Sequence, residues 1–339
     1  MTTFDFIIIG AGSAGCVLAD KLSKCGNFQV CLLEAGPKDK HWSIHLPLGI
    51  VLLMRSKSLN WQYNSAPETT QNNREIFNPR GKTLGGSSSI NAMLYVRGQK
   101  EDYDHWAELG NTGWSFNDVL PYFKSMQHQE RGEDEFHGIN GPLNVADSRS
   151  KSALHDDFIL SAQQAGFPEN DDFNSATQEG VGYYQVTQKN GLRCSSAKAF
   201  LTPNLHRPNL TVITDAQVQK ILVEPENDGN EENNGNKTKV ATGVCYKVNN
   251  KEFTLYANKE VLLSAGAFNS PQLLMLSGIG PKDELTAHGI PIIHALAGVG
   301  ENLQDHPDAM VVNRHKSDFL LALRPKALWW FAKESLKYL

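Results

Sequence analysis

The chain of 339 residues is too long for one small core, so one large domain or two are expected, and its 40% hydrophobic and 20% charged residues are ordinary for a soluble globular protein. A net charge of -5 with scattered Lys and Arg carries no phosphate-backbone footprint, so no nucleic-acid partner is expected. Five cysteines, Cys16, Cys25, Cys31, Cys194 and Cys245, form an odd set without CxxC spacing and fit a reducing compartment. With a strand expected directly at the amino terminus there is no room for a signal peptide, and a cytoplasmic location is expected.

In chain order, the apolar run Phe4 to Ile9 predicts a strand. The turn Gly10-Ala11-Gly12-Ser13-Ala14-Gly15 follows, then a helix whose apolar residues Ala14, Val17, Leu18 and Leu22 recur at helical spacing. A second strand, Val30 to Leu33, ends in Glu34 and Ala35. Strand, glycine turn, helix, strand and acid together read as a dinucleotide site. Gly10 makes the tight turn, Gly12 lets backbone N–H groups of Ser13 and Ala14 approach a pyrophosphate, and Gly15 lets the helix pack close to the strand. The phosphates lie on the helix N-terminus, and Glu34 accepts the hydroxyls of an adenosine ribose. Cys16 and Cys31 fall inside this fold and are expected to pack in its core.

From Glu34 to Arg80 the rhythm breaks into an irregular stretch with Pro37, Pro47 and Pro67, the kind of excursion that lies along a bound ligand. Its apolar run Ile44 to Met54 is too short to span a bilayer. His41 and His45 stand four apart without a carboxylate or cysteine partner in a motif, so packing or exposure is expected rather than metal binding. The stretch Gly81 to Asn91, GKTLGGSSSIN, joins adjacent glycines to three hydroxyls and an amide, a combination suited to a flat polar heterocycle.

Two helices are expected between Asp102 and Met126, the second capped by Ser115 with Asp118 three residues on. Gln127 to Gly141 is expected to be a loop. A helix follows over Ser152 to Gln164, then a polar stretch and a strand from Tyr183 to Thr187. Strands are expected at Leu210 to Thr214, Val218 to Val223, Val240 to Val248 and Glu260 to Leu263. The insert Glu224 to Lys239 has little to bury and is expected to be a mobile hairpin loop. A short helix is expected with Ser270 as cap and Pro271 as first residue.

These motifs, with Gly266 to Gly280 (GAFNSPQLLMLSGIG) and Gly300 to His306 (GENLQDH), give the chain a resemblance to the glucose–methanol–choline (GMC) flavin oxidoreductases over Phe4 to about Asp308. NWQYNSAP and GVGYYQVTQKNG make it most similar, within the family, to alkane-pathway alcohol dehydrogenases and choline-dehydrogenase-like enzymes. The resemblance implies an α/β fold: a Rossmann-type FAD-binding domain with an interleaved α+β substrate domain, incomplete at the C-terminus. The expected division is 1–148 FAD-binding, 149–190 substrate, 191–308 FAD-binding and 309–339 the start of a second substrate segment. It implies non-covalent FAD, because Ile90 stands where some members carry a linking histidine. Gly10, Gly12, Ser13, Ala14, Gly15, Glu34, Ala35 and Gly86 would hold the cofactor, with Thr83, Asn91, Ala92, Met93 and Leu94 along the flavin and pyrophosphate and the Val218 backbone meeting the adenine.

The implied reaction is oxidation of a primary alcohol, aliphatic or choline-like, to the aldehyde, with electrons passing to a quinone-type acceptor such as a membrane quinone. The family's catalytic runs, His-Pro-x-Gly-Thr and Gly-Asn-x-x-Ala-Pro, do not occur in these 339 residues, and His306-Pro307 lacks the Gly-Thr that follows. No catalytic residue and no metal ligand is therefore assigned, and a flavin-binding chain without turnover is the alternative. A nicotinamide dehydrogenase is disfavoured because Gly81 to Asn91 has no role there. On a helix from Lys326, Leu328, Phe331, Ala332, Leu336 and Leu339 oppose Lys326, Lys333 and Lys337, a pattern of peripheral membrane contact on the inner face of the cell membrane or of packing inside the substrate domain.

Overall fold

Val, Ile and Leu at successive positions of short runs suit strands covered on both faces, and such runs form the middle of a six-stranded sheet. The computed structural model describes residues 2–149, 151, 153–225, 238–306 and 309. The sheet strands are β1 (Thr3–Ile9), β2 (Val30–Leu33), β3 (Leu210–Ile213), β4 (Gln217–Pro225), β5 (Lys239–Val248) and β6 (Lys251–Leu263). Their order is β3-β2-β1-β6-β5-β4, parallel from β3 to β6 and antiparallel through β5 and β4. Ile7 pairs with Cys31 on one side and Val261 on the other. The sheet therefore changes winding direction at β1.

Ile7, Ile9, Cys31 and Leu33 alternate onto one face and bury with Ile221, Val244, Leu255 and Leu273. Each fully buried aliphatic side chain contributes roughly 1.5–3 kcal/mol. Against β1 and β2 packs α1 (Ser13–Ser23). Its buried residues are Gly15, Cys16, Ala19, Asp20 and Ser23, whereas Val17, Leu18 and Leu22 are half-buried and Ala14 is exposed. The expected apolar stripe is thus not the buried face. Small residues win because the helix approaches closely, and the buried Asp20 is compensated by Arg207 at 3.1 Å and Asn204 at 2.8 Å.

The excursion after β2 carries α2 (Trp42–His45) and α3 (Ile50–Leu53), and Tyr63–Asn64 pairs with Phe77–Asn78. Near the other end of this unit, α4 (Gly266–Leu276) begins five residues before the expected start, with Pro271 inside it. Proline there removes one intrahelical N–H donor without ending the helix. β6 runs nine residues further upstream than expected, because Lys251 to Tyr256 pair with β5 although polar Lys251, Glu252 and Thr254 interrupt the apolar run. The proposed hairpin insert falls largely on residues 226–237, outside the described residues, as does the basic tail helix.

The chain divides into two compact units, 1–92 with 194–303 and 93–193 with 304–339. In the second unit, helices span Lys100–Glu108 and Phe116–Met126, the latter with the Ser115/Asp118 capping box, and Ala153–Gln164. Gln127–Gln129 is a strand, not a loop, and pairs with Leu143–Asp147, which pairs with Gln185–Val186. Polar side chains hid it: buried Gln129 and Gln185 exchange two amide hydrogen bonds of 3.0 and 3.1 Å. The strand expected over Tyr183 to Thr187 shortens to Gln185–Val186. This pairing, together with the hydrogen bond from the Arg97 N–H to Asn174 Oδ1 at 2.7 Å, ties residues 93–148 to 149–193. By compactness the chain breaks at Ala92/Met93 and Arg193/Cys194.

Candidate functional site

At the carboxyl ends of β1, β2 and β6 the chain turns away from the sheet and leaves a crevice, as open α/β sheets do at the point where strand order reverses. A cavity of about 590 Å³ opens there, lined by Gly10, Gly12, Ser13, Ala14, Glu34, Ala35, Gly86 and Val218 among others. Gly10 takes φ +94, and a Cβ on it would lie 2.6 Å from the Ser264 carbonyl oxygen. On Gly15 a Cβ would lie 1.9 Å from the Gly10 carbonyl oxygen, so only glycine lets α1 start this close to the turn. Gly12 differs: its nearest neighbour would be Ser264 O at 4.0 Å, which leaves room for a ligand. Gly12 caps α1 with no side-chain hydrogen bond, and no acid stands in the first turn. The N-terminal N–H groups and the helix dipole are thus available to an anion.

Glu34 is 6% exposed and staples the turn: Oε2 accepts the Ala11 N–H and Oε1 the Gly36 N–H, each at 2.9 Å. Burial pushes its carboxyl up to about 7; the Gly36 and Ala11 N–H groups and Lys82 pull it down, and Asp215 pushes it up. Each oxygen keeps a second lone pair, so the capacity to accept a diol remains. The Gly81–Asn91 stretch folds against this turn. Gly85 N–H donates to Ala11 O at 2.7 Å, and a Cβ on Gly86 would sit 2.8 Å from Gly12 Cα.

Not every expected residue reaches the cavity. Gly15 supports it from behind, and Thr83 is fully buried with its hydroxyl donating to Pro37 O at 2.8 Å. Asn91 and Ala92 are exposed, while Met93 and Leu94 open the second unit. Met93 O there accepts the Thr187 N–H at 2.8 Å. Sequence reading did not single out Trp61, Arg80, Ser264, Phe268 or Asn269 as lining residues, although all five line the cavity. The Arg80 guanidinium lies 4.5 Å from the Phe268 ring centre and Lys82 Nζ 4.4 Å from that of Trp61. Trp61 and Arg80 lay in stretches already singled out, but which wall they form depends on the fold.

Residues 4–308 match the GMC oxidoreductase family. The chain belongs to the GMC oxidoreductases. It is 48% identical over 308 residues to an alcohol dehydrogenase (acceptor) of Pseudomonas putida, covering 90% of this chain and 53% of that protein. It is 46% identical to an oxygen-dependent choline dehydrogenase of Photobacterium profundum, covering 90% and 52%. Among solved structures, pyridoxine 4-oxidase from Mesorbium loti superposes with a TM-score of 0.79 at 30% identity, covering 86% of this chain and 55% of that one. A formate oxidase superposes at 0.83 with 28% identity, covering 100% and 59%. This GMC chain spans about half the length of the curated relatives it matches.

Among the described residues, Asp134, His137 and Asp172 bring potential metal-ligand atoms within 4.8 Å of one another. His137 is already engaged at both ring nitrogens, Nε2 with Asp172 Oδ2 at 2.8 Å and Nδ1 with Gln127 Oε1 at 3.2 Å. The group reads as a clasp within the second unit. His41, weighed with His45 in the sequence, caps α2 by accepting the Ser43 N–H.

Proposed function

We propose that the crevice at β1, β2 and β6 holds FAD non-covalently and that the chain is the cofactor-holding part of an alcohol-oxidising GMC enzyme. The observation that carries this reading is the glycine turn stapled by Glu34 beside a cavity that would admit a dinucleotide at Gly12. When bound, FAD supplies an acceptor for the hydride of an alcohol carbon. In this assignment Gly12, Ser13 and Ala14 present backbone N–H groups to the pyrophosphate, while Gly10 makes the tight turn, its own N–H donating to Leu33 O, and Gly15 lets α1 pack close behind it. Glu34 and Ala35 hold the ribose, Gly86 closes over the turn, and Val218 meets the adenine. Thr83 fixes the Gly81–Asn91 stretch through Pro37, and Asn91, Ala92, Met93 and Leu94 are the proposed flavin-side contacts. Ile90 packs with Ile44, Leu53 and Leu59, and its hydrocarbon side chain offers no atom for a covalent link.

The substrate class proposed is a primary alcohol, aliphatic or choline-like, with a quinone-type electron acceptor at the inner membrane face. The named activities of the Pseudomonas and Photobacterium relatives support the alcohol or choline-like substrate, whereas the quinone-type acceptor and the membrane face rest on the resemblance alone. Their greater length supports the second reading, in which these 339 residues bind flavin without turnover. Titration of the protein with FAD, followed by acid precipitation, tests the first reading. Flavin binding with yellow colour left in the supernatant is expected; colour held in the pellet, or no binding, refutes it.

A further inference from the structure

The turn formed by α2 and α3 has two chemically opposite sides. Inward, Ile44 and Leu53 are fully buried with Leu59 and Ile90. Gly49 lies so close to Ser43 that a Cβ would fall 1.8 Å from its carbonyl oxygen, which pins the two short helices together. Outward, Trp42 is 56%, Leu48 53%, Val51 64% and Leu52 52% exposed. His41 stacks on Trp42 with ring centres 5.8 Å apart. Around these side chains the sequence places Lys38, Lys40, Arg55 and Lys57 against the single acid Asp39, in a chain whose net charge is -5. All four basic residues are exposed, and none forms an ion pair among the described residues.

We propose that Lys38 to Lys57 is a docking surface for an anionic lipid bilayer. Trp42, Leu48, Val51 and Leu52 enter the boundary between headgroups and acyl chains, and the four basic side chains reach back to lipid phosphates. Charge decides the occupant. A second copy docking through the same patch would bring basic rim against basic rim, whereas an anionic leaflet complements it. α2 and α3 have four residues each, far short of a span, so the contact is interfacial. The proposal does not depend on flavin binding.

The test is co-sedimentation of the 339-residue protein with vesicles of phosphatidylcholine alone and of phosphatidylcholine with phosphatidylglycerol, at low and high salt. Salt-sensitive binding to the anionic vesicles only is expected. Trp42→Ser with Val51→Ser, and Lys38→Glu with Arg55→Glu, each change exposed positions and should lower partitioning about tenfold or more with the thermal melt unchanged. Brominated acyl chains should quench the wild-type tryptophan fluorescence more than that of Trp42→Phe. Absence of binding to anionic vesicles overturns the proposal. So does binding that survives both double variants, which would move the contact to the basic segment 326–337. Concentration-dependent dimerisation that the double variants abolish would identify a second copy as the occupant and also overturn it.

Discussion

Glu34 joins the fold and the proposed cofactor site in one side chain, since the same carboxylate that bonds the Ala11 and Gly36 N–H groups faces the cavity. Replacing it by Ala should weaken FAD binding by about 1–3 kcal/mol, as loss of a hydrogen bond to a charged acceptor does, and flavin titration measures this. The carboxyl also leaves a pH signature in the ligand-free protein. Its folded value, about 7, lies above the ordinary 4.5, so between these values the unfolded chain has released the proton while the folded chain retains it. Stability from this group is complete below about 4.5 and declines as pH rises to about 7, by about 3 kcal/mol in all. Thermal melts from pH 5 to pH 7.5 should show this decline, and Glu34→Gln should flatten it; equal slopes in the two proteins would contradict the assignment.

At the scale of an element, the turn into α1 separates two kinds of glycine. Gly15→Ala places a methyl 1.9 Å from the Gly10 carbonyl oxygen, and the helix must shift off β1 to admit it. Such overpacking costs typically 1–3 kcal/mol, roughly the range expected here, and denaturant unfolding would register it. Gly12→Ala meets nothing nearer than 4.0 Å and sits at φ -77, an ordinary backbone angle. Its methyl fills ligand space. The expected outcome is an unchanged melting temperature with FAD binding lost. A Gly12→Ala protein that binds FAD normally would remove the pyrophosphate from this turn.

Across the whole molecule, residues 4–308 carry the family match while the chain spans about half the length of the relatives it matches. The cofactor-holding half of the reading is therefore separable from the alcohol-oxidising half. The 339-residue protein is expected to bind FAD and to reduce an artificial dye with an aliphatic alcohol or choline at a rate at least about a hundredfold below a full-length relative, since a positioned base contributes roughly 10²–10⁴-fold. Dye reduction at a comparable rate would show that the chain contains its own base.

What was legible in the sequence by itself is the local, periodic part. The strand-turn-helix-strand run from Phe4 to Glu34 was readable because glycine spacing and apolar runs act within a few residues. The capping box at Ser115 follows from the same short-range chemistry. The tertiary structure decided which side chains face inward. Asp20 buries in place of Leu22 because Arg207, nearly two hundred residues away, neutralises it. Gln127–Gln129 became a strand because Leu143–Val145 supplies its backbone partner and Gln185 the amide partner of the buried Gln129, neither of which hydropathy can reveal. The cavity wall of Trp61, Arg80 and Phe268 is likewise assembled from distant segments. Local propensity and spacing are properties of the sequence, but compensation of buried polar groups and closure of a cavity require partners that only the folded chain brings together.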